Sequence, residues 1–114
     1  MLFGFSAAAE PVWAEAGKYG DRLAAVVIVA GAAAPPTEQI EAIPKEVPIC
    51  LAYGKADPVA PLEIGRQTLE ALSDAGRTAT LLEVEADDHF RILKEGAKEC
   101  LALAGSYLKK ESEE

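Results

Sequence analysis

Four short apolar runs rich in β-branched or aromatic residues recur along the chain: Leu2 to Phe5, Ala24 to Ala30, Ile49 to Tyr53 and Ala79 to Val84. Each leads into a stretch with helical spacing, and this alternation predicts a parallel sheet with helical crossovers. After the first run, Ala8 to Tyr19 reads as a helix with Val12, Trp13 and Ala16 on one side and Gly20 as its C-terminal cap. Pro11 is tolerable there only near the first turn, where a missing N–H costs nothing. The second run opens into a loop, Gly31 to Pro36, and a short helix from about Thr37 to Ile43 that Pro44 stops. Leu62 to Ala75 places Leu62, Leu69 and Leu72 on one face and ends at Gly76. The last helix, Ile92 to Lys109, lines up Leu93, Ala97, Cys100, Leu101, Ala104 and Leu108, with Lys109 and Lys110 near its negative end. Residues 1–110 are expected to form a single domain, with 111–114 a charged tail that frays into solvent.

Composition narrows the class. The 114 residues are 50% hydrophobic and 26% charged, the make-up of one folded domain. Nineteen acidic against eleven basic residues give a net charge of -8, which repels phosphate backbones and anionic membranes, so neither nucleic acid nor a membrane is an expected partner. The longest apolar run, Leu23 to Ala34, falls short of the roughly 18 to 20 residues of a membrane-spanning helix. The apolar start has no basic n-region and is read as part of the fold rather than as a signal peptide. Cys50 and Cys100 do not suggest a disulfide framework or a zinc site and read as buried, reduced thiols, which points to a cytoplasmic protein.

Candidate chemistry gathers just past the predicted strands. Gly4-Phe5-Ser6-Ala7-Ala8 lies between a strand and a helix, the context of a nucleophile elbow, where bulk at Gly4 or Ala8 collides with backbone and the Ala7 N–H faces an oxyanion. Taken alone, Ser6 is as well explained as a helix cap. Asp57, after the third strand, either orients a histidine or starts an Asx turn before Pro58. His89, the only histidine, follows the fourth strand. Asp87 and Asp88 beside it read as solvated carboxylates rather than metal ligands. The order Ser, Asp, His, each past the C-terminal end of a parallel strand, favours the catalytic reading of all three. Trp13, Phe3, Phe5 and Phe90 are assigned mainly to packing. No dinucleotide, P-loop or metal motif is present, so no cofactor or metal is expected.

The elbow with Trp13, the stretch Tyr19 to Val27, Val47 to Pro61 and Asp88-His89-Phe90 together resemble the C-terminal half of an α/β-hydrolase, most similar to the dienelactone hydrolase and carboxylesterase-like branch. The resemblance implies a three-layer α/β half-fold: four mainly parallel strands in sequential order, the last helix on the face opposite the others. It implies Ser6 as nucleophile, His89 as general base and then acid, Asp57 as the group that holds the imidazole, and small esters hydrolysed through an acyl-enzyme. Ala8 departs from the second elbow glycine. The family's remaining strands and second oxyanion donor belong to a segment before the elbow strand, so activity is expected to be weak. The rival reading is a catalytically silent excised or engineered half-hydrolase that assembles with itself. With one edge of strand Leu2–Phe5 open, a homodimer through that strand is the expected assembly.

Overall fold

The computed structural model describes residues 2–19, 25–31, 33–55, 57, 60–85 and 89–112, with 90 and 103–112 as backbone only. Strands β1 (Leu2–Phe5), β2 (Val26–Val29), β3 (Ile49–Gly54) and β4 (Ala79–Val84) form one sheet in the order β1-β2-β3-β4, and every neighbouring pair is parallel. A 3-10 turn, Ser6–Ala8, runs from β1 into helix α1 (Ala9–Tyr19); α2 (Thr37–Ala42) links β2 to β3, α3 (Leu62–Asp74) links β3 to β4, and α4 (His89–Ser112) follows β4. Pro11 sits in the first turn of α1, where its missing N–H is harmless. The Gly20 cap falls outside the described residues.

Consecutive residues of a strand point to opposite faces, and β3 uses this to receive two helices. A Cβ on Gly65 of α3 would lie 2.6 Å from the Tyr53 ring, and one on Gly96 of α4 would lie 2.8 Å from the Ala52 Cβ. Ala52 and Tyr53 are adjacent, so α3 and α4 cover opposite faces and the three layers follow. Gly4, paired with Ile28, approaches Ala9 and Val12 of α1, on the α3 side of the sheet. The last helix therefore stands alone on its face, as the resemblance implied. Strands β2 and β3 are buried along their full length, the continuous burial of a sheet covered on both sides.

Three details differ from the sequence expectations. Helix α4 begins at His89 rather than Ile92 and continues to Ser112, past Lys109, since nothing after Glu85 in the described sequence breaks helical geometry. Its buried stripe is Ile92, Gly96 and Cys100, while Leu101 is 42% exposed. Gly96 explains the rotation: the helix closes on the sheet where a side chain is missing, which turns the Leu93–Leu101 row toward the flank. Cys50 and Cys100, on β3 and α4, are buried free thiols, in line with the sequence reading. Arg77, unremarked in the pattern, donates to the carbonyls of Ile43 and Glu41 at 2.8 Å each and so ties the C-terminal end of α2 to the residues after α3.

Candidate active site

All parallel strands end at one edge of the sheet, and the chain leaves β1, β3 and β4 there toward Ser6, Asp57 and His89. Ser6 turns the chain with φ 55, a left-handed conformation that a residue with a Cβ adopts only under constraint. The constraint is the tight passage from strand to helix. A Cβ on Gly4 would lie 2.8 Å from the Ala9 Cα and 3.0 Å from the Ala8 carbonyl oxygen, so only glycine fits as the strand leaves. The crowding expected at Ala8 falls instead on Ala9: Ala8 is exposed, and Ala9 is buried under Gly4. The elbow thus tolerates a side chain at Ala8 because that position faces outward. Ala7, also exposed, occupies the first turn, where backbone N–H groups lack an intrahelical acceptor.

Asp57 and His89 meet directly, with Oδ2 of the carboxylate 2.6 Å from Nδ1 of the imidazole. The carboxylate side chain is fully buried and the imidazole is 10% exposed. A buried carboxylate is costly unless its oxygens are engaged. Here both are, because Oδ1 accepts the Ala60 N–H at 3.2 Å. The two alternatives for Asp57, turn former and histidine anchor, are therefore realised together, one oxygen each. On the other side, the Phe5 ring lies against the imidazole with centroids 4.7 Å apart and a 33° tilt. Phe5 precedes Ser6, so the histidine is packed against the strand end that carries the serine. Asp87 and Asp88 lie outside the described residues.

Beside the serine opens a cleft of about 290 Å³. Ser6, Ala7, Glu10 and Trp13 form one wall, at the spacing of successive helical turns, and residues 33–36 with Gln39 form the other. The second wall is held in place from below. Ala30 has φ 50 and donates its N–H to the Ala52 carbonyl at 2.7 Å, and the Tyr53 hydroxyl donates to the Gly31 carbonyl at 2.8 Å. Burial pushes the Tyr53 phenol up to about 12, with bonds to Thr68 and Gly31 acting in the opposite sense. Sequence reasoning missed Glu10, Gln39 and the Phe5 contact. Only Glu10 left a signal, its one-turn spacing from Ser6.

Solved structures share this fold. The chain superposes on a variant of SOBER1 from Arabidopsis thaliana with a TM-score of 0.73 at 20% identity, covering 93% of this chain and 52% of that one. A protein assigned as a dienelactone hydrolase from Klebsiella pneumoniae gives 0.69 at 20% identity, covering 90% and 50%. The acylaminoacyl peptidase of Pyrococcus horikoshii gives 0.68 at 10% identity, covering 95% and 22%. The chain thus spans about half the length of the first two. No curated protein sequence matches significantly. A family model does, over residues 1–98, and its description is phospholipase/carboxylesterase. With the elbow, the strand-end pair and the sheet order in agreement, the chain belongs to the phospholipase/carboxylesterase family of α/β-hydrolases.

Proposed function

We propose that the protein is a serine hydrolase acting on small esters through an acyl-enzyme. The observation that carries this reading is the 2.6 Å Asp57–His89 pair, buried at the sheet edge beside the strained Ser6 elbow. With Nδ1 bonded to Asp57, the imidazole exchanges protons through Nε2. Ser6 Oγ attacks the ester carbonyl carbon and gives its proton to Nε2, and the carbonyl π pair moves onto oxygen. The Ala7 N–H stabilises that oxyanion. Collapse expels the alcohol, which takes the proton from His89 and leaves an ester on Ser6. Water, deprotonated by the same nitrogen, then releases the acid and restores the serine. Asp57 keeps its negative charge throughout and stabilises the imidazolium. No cofactor enters these steps. Stopped-flow hydrolysis of a p-nitrophenyl ester tests the reading: a burst of one equivalent of nitrophenol per chain supports it. Turnover that survives Ser6→Ala unchanged overturns it, and hydrolysis no faster than the buffer background favours the silent-scaffold alternative.

The same proposal extends to assembly and place. Among the described residues β1 is an edge strand, and its Phe3 is 40% exposed. A strand with open N–H and C=O groups is a template for another chain. Antiparallel pairing of two β1 strands about a two-fold axis extends the sheet and covers both edges. Sedimentation equilibrium at micromolar concentration is expected to give twice the chain mass, and a single-chain mass rejects the dimer. Two buried free thiols suit a reducing cytoplasm.

A further inference from the structure

The cleft beside Ser6 carries a sign. Its lining is small and apolar apart from Ser6, Glu10 and Gln39, and Glu10 is the one charged group among the described residues that form it. Glu10 stands in the first turn of α1, where the helix dipole favours a negative charge. Trp13 borders the cleft one turn further on and is 2% exposed, so it forms part of the cleft's apolar floor. The whole molecule adds to the same field with its net charge of -8. Among the described residues, no basic side chain lines the cleft to bind a carboxylate or phosphate.

We propose that this cleft selects esters bearing a cationic amine or ammonium group, with Glu10 as the specificity-determining residue. The substrate class rests on the serine-esterase reading; the cation preference of the cleft does not. The cleft volume of about 290 Å³ accommodates a group the size of a small alkylammonium or aryl unit. Since Glu10 is exposed, the discrimination is a modest one, about fivefold between a cationic and a neutral isostere and larger against an anion. Added salt weakens it, as for any exposed charge.

Trp13 is the sole tryptophan, so its fluorescence reports cleft occupancy without interference. The measurement is a titration of the unsubstituted protein with phenyltrimethylammonium, benzyl alcohol and benzoate, none of which is an ester. The expected order of affinity is ammonium over alcohol by about fivefold and alcohol over benzoate. Glu10→Gln, an exposed helical position where glutamine is equally accommodated, is expected to collapse that order. Equal affinity for all three, an order that survives Glu10→Gln, or no fluorescence response to any probe overturns the proposal. A loss of ester turnover as such is not the readout, so failure of the esterase reading leaves this result separately interpretable. If the binding order holds, matched cationic and anionic p-nitrophenyl esters are expected to show the same preference in kcat/KM on the unsubstituted protein. Equal kcat/KM for the two rejects the substrate class.

Discussion

Ser6 holds its Cβ at φ 55, a conformation that costs an L-residue about 1–2 kcal/mol. That strain exists because β1 must turn into α1 where the chain is too crowded for anything but glycine at Gly4. It predicts a stability order: Ser6→Gly is expected to exceed Ser6→Ala by about 1 kcal/mol in urea unfolding, since both lose the hydroxyl and only glycine relieves the backbone. Equal stability would mean that the turn is unstrained. At this scale the contact between Asp57 and His89 was legible because residue type and position past a strand end coincide. The Phe5 ring against His89 was not, because a contact between a strand end and a helix start depends on how β1 and α4 are placed across the sheet.

Helix α4 carries His89 at its first residue and is seated on the sheet by Gly96, so a change far along it is felt at the histidine. Gly96→Ala improves helix propensity by about 1 kcal/mol. A Cβ there would lie only 2.8 Å from the Ala52 Cβ, and overpacking costs about 1–3 kcal/mol, so a net destabilisation is expected. In a double-mutant cycle Ala52→Gly is expected to return much of that loss, and strict additivity would refute the steric account. The three- and four-residue steps from Leu93 to Leu108 predicted a helix, but the stripe that faces inward is Ile92, Gly96 and Cys100. Periodicity treats Gly96 as a weak position, whereas packing makes it the point of closest approach. Tyr53 does comparable work for β3, joining the loop after β2 to α3 through the Gly31 carbonyl and the Gly65 gap. Its phenol is raised from 10.0 to about 12 by burial. Above pH 10.0 the unfolded chain sheds this proton while the folded one keeps it until about pH 12. Stability is therefore lost as pH rises through that window. Tyr53→Phe is expected to start less stable, by about 1–2 kcal/mol for the orphaned carbonyl, and to show a shallower alkaline decline in guanidine midpoint. An identical decline in both proteins would show that other groups govern it.

For the whole molecule, alternation of strands and helices was enough to predict a parallel sheet, and the family resemblance implied the sequential strand order that the sheet has. The cleft was not legible. It is made by the β2–α2 connection folding beside α1, and loop geometry leaves little trace in a hydrophobic pattern. The candidate site therefore has two parts: Ser6, Asp57 and His89 at the strand ends, and a cleft wall set by a loop that Tyr53 and Ala30 hold in place. The proposed function rests on one central claim, that Ser6 is a nucleophile activated by the His89–Asp57 pair. Labelling with a serine-directed fluorophosphonate, followed by peptide mass spectrometry, tests it most directly. One adduct per chain on Ser6 is predicted, with labelling slowed on the order of 10³-fold or more in His89→Gln. Unlabelled Ser6, or labelling that proceeds as fast in His89→Gln, would contradict it.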